Sequence, residues 1–483
     1  SMSATIPQAS GQSRLHVVLT CIPPSIIDPL TRRRLNVGMG DPAAGHNTRR
    51  SWLNLVSLAG CVVLATLAWL AGGCRRPVPW RTVLGCGLLM FLLGIVVFWV
   101  PQTRGLLVAL NSLVLVGLDA GNAGALFLFG PLALNPGQAT DAGAPSIGFV
   151  FAAQALPLVV FFAALMAVLY HWRALQPVVR WLGRLFRRTL RLSGAEALAG
   201  ASNIFFGLES ATTVRPYLER MTRSELLTVL TCCMATVAST TLALYVRMLQ
   251  GVFPQIAGHL ISASLLSIPA AVLASKLVLP ETDRPETLGT VPPIHESQRQ
   301  GNTMAALTAG AWDGLKLAAG IATLLVAVLG VVALFDLVLV KASSPLADQL
   351  GGPIDLRRLL GWLFTPLAWL LGGEAADLVT AGRLLGGRLV LTEIPAYQEL
   401  ALLARNGEIS ARSLLIVSYA LCGFTHVASM GIFVGGIAAL APSRRDDLAA
   451  LGPRALLAAT LATLMTGALA GLLYHGQPGL LGM

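Results

Sequence analysis

The chain has 483 residues, a formal net charge of +11, 55% hydrophobic and only 12% charged residues, and a mean hydropathy of +0.71. A soluble domain cannot hide that much apolar surface, so the solvent for most of the chain is a bilayer. The positive charge does not point to nucleic acid: the arginines fall in short clusters between apolar runs, without interleaved aromatic stacking positions, which is the bias of cytoplasmic loops.

In chain order, residues 1–50 are polar, Pro-rich and Arg-rich and hold no apolar run long enough for a signal peptide, so they are set outside the fold. A helix needs about 20 apolar residues to cross the hydrocarbon core. Eight stretches qualify, near 52–72, 80–100, 147–171, 224–249, 256–280, 315–340, 413–440 and 453–475. Between them, residues 173–191 place Arg173, Arg180, Arg184, Arg187, Arg188 and Arg191 at three and four spacing among apolar residues, a basic amphipathic helix for the cytoplasmic face. Residues 303–314 and 354–373 read as surface helices. The seven cysteines are an odd number without metal-ligand spacing and read as small apolar fillers.

Segments 194–218 and 378–400 are apolar but carry Gly207 with Glu209, and Pro395 with Glu393, near their middles. Both read as re-entrant hairpins that enter and leave on one side. Each precedes a similar run, SELLTVLTCCMATVASTT at 224–241 and SLLIVSYALCGFTHVASMG at 413–431, an apolar helix interrupted by a short polar patch. An interrupted helix leaves backbone groups unpaired and survives in lipid only where it lines a protein-walled cavity, which is where transporters place their substrate sites. With eight spans, Arg75, Arg76 and Arg81, the 173–191 cluster and Arg444, Arg445 and Arg454 share the cytoplasmic side, and the two interrupted helices run in opposite directions, an inverted repeat. The same count puts Arg32, Arg33, Arg34, Arg49 and Arg50 outside, against their preference; either the first 50 residues are translocated or the span count errs near the N-terminus.

A carboxylate in the membrane persists where it is used or well paired. Glu209, Glu393 and His426 lie at membrane depth, and Asn203, Thr236, Ser239, Thr240, Thr241, Thr392, Thr425 and Ser429 supply neutral polar groups in the same four segments. Any one Ser or Thr is expected to bond its own helix; the two glutamates are expected to function. Enzyme signatures are lacking: HESQR at 295–299 has no second His, and there is no Gly-rich phosphate cradle after a strand and no GxSxG.

Five ordered stretches, SGAEALAGASNIFFGLESATTVRPYLERMTRSELLTVL, GAWDGLKLA, GWLFTPLAWLLG, LVLTEIPAY and ALCGFTHVASMGI, the last followed by LAPSRRDDLAALGPRALLAATLA, resemble the concentrative nucleoside transporter family from about residue 52 to 476. The resemblance implies an all-α polytopic membrane protein, about eight transmembrane helices plus two re-entrant hairpins, divided into scaffold and transport domains that work as an elevator. It implies a homotrimer in a bacterial inner membrane that imports nucleosides, driven by sodium or in some members by protons. The expected segmentation is an extension at 1–50, scaffold helices and the basic helix at 51–193, first hairpin and broken helix at 194–250, bracing helices at 251–375, second hairpin and broken helix at 376–440, and a last span at 441–483.

The sodium ligands it implies are Asn203, Phe206, Thr236 and Val237, a hard oxygen set that suits an alkali ion. The substrate residues it implies are Leu208, Glu209, Ser210, Thr241, Glu393, Phe424, His426 and Ser429. His426 stands where the family has Asn, and Leu208, Glu209 and Ser210 depart from the family's Gly-Gln-Thr/Ser-Glu, so a nucleoside-like solute with retained ribose and an altered or cationic base is expected. His426 also offers a route for a coupling proton. The alternatives are a proton-coupled carrier of another polar solute, or a non-transporting receptor or intramembrane enzyme.

Overall fold

The computed structural model describes residues 42–74, 78–134, 139, 145–174, 176–205, 207–288, 301–346 and 352–476. The predicted N-terminal extension therefore lies almost wholly outside the described residues. The chain divides at Trp52 into a short unit, seen only as the opening turns of helix α1 (Pro42–Ala71), and a second unit from Leu53 onward, to which the rest refers.

Apart from one isolated bridge between Ala139 and Pro145, the described elements are helical. That follows from the solvent: in hydrocarbon a helix satisfies its own backbone, whereas an open strand does not. After α1 come α2 (Trp80–Trp99), α3 (Pro101–Phe129), the single turn α4 (Phe151–Gln154), α5 (Leu156–His171) and α6 (Gln176–Leu190). In α6, Val179, Leu182, Gly183, Phe186 and Leu190 are buried and Arg180, Arg184 and Arg188 exposed, the amphipathic surface helix predicted from the arginine spacing.

Among the described residues, seven helical stretches are long and apolar enough to cross a membrane, one of them Asn111–Ala133, which the sequence reading does not count. Its contacts set it apart. Asn111 Oδ1 accepts from the Ala257 amide at 3.2 Å. Asn122, with its amide oxygen turned toward Arg247, accepts from both guanidinium nitrogens at 2.9 and 3.1 Å. Arg247 and Ala257 flank one turn, between helices α10 (Ser239–Leu249) and α11 (Ile256–Val278). The two asparagines are separated by about 16 Å along their own helix, yet both meet the same end of that pair. Helix α3 therefore lies across helix ends. The six remaining long stretches and the two interrupted helices correspond to the eight apolar stretches counted in the sequence.

The two repeats are built alike. In the first, α7 (Gly194–Asn203) leads through a tip into a 3₁₀ segment, Leu208–Val214, and the short α8 (Arg215–Leu218); then α9 (Arg223–Ala235) breaks at 236–238 before α10. In the second, α14 (Leu378–Leu391) turns sharply at Thr392 into α15 (Glu393–Arg405), and α16 (Ala411–Leu421) breaks at 422–426 before α17 (Val427–Leu440). Capping boxes, Ser193 with Glu196 and Thr222 with Glu225, start α7 and α9. A buried cation pins the base of each repeat. Lys276 Nζ reaches Glu196 Oε1 at 2.6 Å and Ser224 Oγ at 3.0 Å; Arg412 donates to the carbonyls of Gly372 at 2.7 Å and Gly471 at 2.9 Å and to Asn54 Oδ1 at 2.8 Å.

Helices α11 and α18 (Arg445–Leu473) form the centre, with 89% and 83% of their apolar windows buried. The expectation of a separate surface helix at 303–314 is corrected: it is the opening of α12 (Thr303–Ser343), 41 residues or about 60 Å, twice the hydrocarbon thickness. Its start is drawn onto α5 by Gly310 and Gly314, where an added Cβ would lie 2.5 Å from Ala167 Cβ and 2.7 Å from Ala163 Cβ. The expected helix at 354–373 is α13 (Leu356–Leu370), capped by Asp355.

Candidate functional site

The first break opens because α9 ends in Thr236, which is extended (φ −115°, ψ 167°) and so cannot continue the helix. Asn203, the last residue of α7, faces it and is 1% exposed. Its Nδ2 donates to Thr236 Oγ1 at 2.5 Å and to the Cys232 carbonyl at 2.6 Å, and its Oδ1 accepts from Ser210 Oγ at 2.9 Å. Thr213 closes the tip, donating to the Ser210 carbonyl at 2.6 Å. The Val237 carbonyl is met by Ser264 Oγ at 3.4 Å.

Two of the four sodium ligands implied by the resemblance, Asn203 and Thr236, are thus in direct contact, with Val237 next in the chain. Phe206 lies outside the described residues. Ser210, expected on the substrate side, bonds to Asn203. The donor set fits a small monovalent cation: an amide, a hydroxyl and backbone carbonyls, neutral hard oxygens without a carboxylate. With Nδ2 toward Thr236 the amide closes the cluster; rotated by half a turn it presents Oδ1 to the same space, and Ser210 then accepts instead of donating.

The tip of the second hairpin holds the acid, facing the second break. Glu393 opens α15 and is 2% exposed. Its Oε1 accepts from Tyr245 Oη, on α10 of the other repeat, at 2.7 Å. Tyr245 is stacked on Tyr397 at 4.5 Å and 19°, and Tyr397 Oη donates to the Ser418 carbonyl at 2.9 Å, so a rigid aromatic pair fixes the carboxylate. Oε2 stands 3.1 Å from His426 Nε2 but is out of line for a hydrogen bond and forms none among the described residues.

His426 is the N-cap of α17. Its Nδ1 accepts from the Ser429 amide at 3.1 Å, and the Ser429 hydroxyl accepts from the His426 amide at 3.3 Å. Accepting at Nδ1 places the ring proton on Nε2, facing Glu393. The ring thus serves as acceptor to the start of α17, as an N-cap Asn would, while its Nε2–H faces Glu393. Ser429 Oγ also donates to the carbonyls of Phe424 and, at 2.7 Å, His426, so its hydroxyl is committed to the break itself. Thr241 Oγ1 donates to Ala238 within its own helix at 3.1 Å, and the Phe424 ring leans on Phe433 at 6.1 Å. The side chains of Leu208 and Glu209 lie outside the described residues.

The two breaks meet. Gly423 has no room for a side chain: an added Cβ would lie 3.0 Å from the Ala235 carbonyl of the first broken helix and 2.7 Å from Thr463 Cγ2. Tyr245 and Arg388 belong to the site's surroundings and are missing from the sequence reading. Arg388 is 1% exposed, donates to the Ala420 carbonyl and reaches Thr463 Oγ1 at 3.3 Å. A phenol and a guanidinium inside apolar runs were the available signals, since a buried polar group needs a partner.

Comparison with known proteins identifies the family. The family pattern described as Na+ dependent nucleoside transporter C-terminus matches residues 259–471, its N-terminal counterpart matches 59–132, and a pattern described as Nucleoside recognition matches 152–251. An uncharacterized transporter of Haemophilus influenzae is 35% identical, with 86% of this chain and 97% of that one covered. The nucleoside permease NupC of Helicobacter pylori is 32% identical, over 87% and 97%. A solved structure of CNTnw in an inward-facing substrate-bound state superposes with a TM-score of 0.77 at 34% identity, over 87% of this chain and 98% of that one. The chain is a multi-pass membrane protein, and it belongs to the sodium-dependent, concentrative nucleoside transporter family, whose members are transporters and not enzymes.

Proposed function

We propose that the protein is a sodium-coupled symporter that imports nucleosides across a bacterial inner membrane. The observation that carries this reading is the junction of the two repeats: a neutral oxygen cluster at Asn203, Ser210 and Thr236 at the first break, whose following helix carries Tyr245 to the Glu393 carboxylate of the second hairpin. A cation taken by Asn203 and Thr236 rotates the Asn203 amide, which changes the bond to Ser210 and so orders the tip of the first hairpin. Glu393, acceptor only, takes hydroxyl donors from the substrate.

Sodium is favoured over the proton by His426. Its Nδ1 already accepts from the Ser429 amide, so a second ring proton would put two donors face to face and uncap α17. The first hairpin with its broken helix (194–250) and the second (376–440) form the moving body in this reading, the remaining segments the scaffold, and the assembly is a homotrimer. The apolar outer face of α12, with Val326, Leu334, Phe335, Leu337 and Val338 all at least 59% exposed, serves lipid or a neighbouring protomer.

Uptake of labelled uridine and adenosine into proteoliposomes tests the reading. Accumulation under an inward sodium gradient, and none under a pH gradient alone, is the expected outcome. Accumulation under the pH gradient alone moves the coupling to protons, and no uptake under either removes nucleosides.

A further inference from the structure

Residues 171–192 carry six arginines and no Asp or Glu. Within them, helix α6 sorts its side chains into three stripes at 100° per residue. Val179, Leu182, Phe186 and Leu190 form the buried stripe. Arg180, Arg184 and Arg188 are exposed on the far side, with Arg191, also exposed, just past the helix end. On the flank between the two lie Val178, Trp181 and the half-buried Leu185, an apolar stripe that the molecule leaves open, with Trp181 59% exposed. Among the described residues Arg184, Arg188 and Arg191 have no carboxylate partner, and Arg180 reaches only the Gln176 carbonyl of its own helix, at 3.4 Å. Four positive charges therefore face outward beside an open apolar strip.

Two close contacts hold α6 in place. An added Cβ on Gly183 would lie 3.7 Å from the Ala197 carbonyl oxygen of α7, and one on Gly85 of α2 would lie 2.6 Å from the Thr189 carbonyl oxygen. About one turn before Gly85, the start of α2 adds a second exposed pair of the same kind, Trp80 and Arg81. Indole rings beside long basic side chains are the composition of a membrane–water boundary, where the ring sits at headgroup level and the charged end stays in the polar layer. Arg191 also has φ +53°, at a helix end where glycine is the usual residue. The chain keeps an arginine there against the preference of its backbone.

We propose that the outer face of α6, continued by Arg81, is a docking surface for the headgroups of anionic phospholipids. The two open stripes select that partner together. Guanidinium forks pair with phosphate oxygens, and each arginine near an anionic bilayer surface adds to the attraction. The apolar strip of Val178, Trp181 and Leu185 then enters the boundary with the acyl chains, as in other helices that lie in the interface plane. A free phosphate or a soluble polyanion supplies the charge but no apolar layer for that strip. The bound lipid adjoins the base of the first hairpin, because Ser193 caps α7 two residues after Arg191.

The test titrates the purified full-length protein, held in a neutral detergent, with phosphatidylglycerol, phosphatidylcholine or inorganic phosphate and follows the melting temperature. The variants are Arg184→Gln with Arg188→Gln, Arg184→Lys with Arg188→Lys, and Lys316→Gln with Lys341→Gln, the last removing the same charge from α12. These side chains are exposed, so all variants should melt with the wild type before lipid is added. Phosphatidylglycerol should raise the melting temperature, and phosphatidylcholine and inorganic phosphate should raise it far less. The concentration for half the effect should rise at least about tenfold in the double Gln variant of α6, less than about threefold in the double Lys variant, and not at all in the α12 variant. An equal response to phosphatidylcholine, or an unchanged half-point in the double Gln variant of α6, overturns the proposal. So does an equal loss in the α12 variant, which would reduce the effect to net charge. A response to inorganic phosphate as large as that to phosphatidylglycerol would make the arginines a site for a free anion and overturn the assignment to lipid.

Discussion

The two breaks are built on one plan and left in opposite states. At the first, Asn203, Ser210, Thr213 and Thr236 bond to one another and to carbonyls of α9, and the described polar side chains close on themselves. At the second, Tyr245 and the His426 cap hold the backbone and one carboxylate oxygen in place, while Thr392 Oγ1, Thr425 Oγ1 and Glu393 Oε2 form no hydrogen bond among the described residues, Oε2 standing 3.1 Å from His426 Nε2. A closed cluster of neutral oxygens can exchange a hydrogen bond for a cation contact at small cost, because no charge is stranded in either condition. An open cluster around an acid cannot be silent: each unpaired buried group costs about 1–3 kcal/mol until a ligand meets it. In the reading proposed above, the repeat divides the work, with ion coupling where the site is complete without its ligand and recognition where it is not. Gly423 against the Ala235 carbonyl, and Tyr245 against Glu393, put the two halves in direct contact.

The largest test of that division is Glu393→Gln. The amide keeps the shape and replaces an acceptor with a donor where the ligand must donate. Hydrogen bonds to charged groups are worth about 1.5–3 kcal/mol, so losing two of them should weaken nucleoside binding by more than about 100-fold. Calorimetry on a variant that still elutes as the folded protein checks this, and wild-type affinity would show that the pocket lies elsewhere.

Asn203→Ala attacks the other half. It removes the amide that joins Ser210 to Thr236, so sodium stimulation of binding should fall by about tenfold or more while affinity in the absence of sodium changes little. The lost hydrogen bonds should also cost about 1–3 kcal/mol of stability. Sodium stimulation equal to that of the wild type would take the cation away from the first break. Tyr245→Phe lies between the halves: the ring stays stacked on Tyr397 while Glu393 Oε1 loses its donor, and an affinity loss of about tenfold is expected from one hydrogen bond to a charged group at the low end, ~1.5 kcal/mol.

Much of this was legible in the sequence, and unevenly. The hairpins and interrupted helices could be read because their polar residues sit in apolar runs that lipid otherwise forbids, and Glu393 and Asn203 stood out for the same reason. The long α12 was divided too early because Asp313 and Lys316 make its first turns look like a surface helix; they pair with each other at 3.1 Å and leave the helix uninterrupted. Helix α3 shows the limit of hydropathy, since only the Asn111 and Asn122 contacts distinguish a helix lying across others from one that spans. Tyr245 was hidden because its partner lies 148 positions away and is joined to it only by the inverted packing. The positive φ of Thr392, +81°, is a backbone property that side-chain chemistry does not announce.

The smallest expected effect sharpens the comparison most finely. His426→Asn keeps an acceptor for the Ser429 amide, since Asn is among the best N-caps, so α17 should lose no more than a few tenths of a kcal/mol. The shorter side chain withdraws the donor from Glu393, which already lacks a true hydrogen bond at Oε2, so affinity should change by less than about threefold. The informative measurement is the pH profile of sodium-driven uptake between pH 6 and 8. With the imidazole locked as an acceptor at Nδ1, the wild type and His426→Asn should show the same profile. A slope in the wild type that the substitution abolishes would mean that His426 leaves its cap and carries a proton, and the second break would then share in coupling as well as recognition.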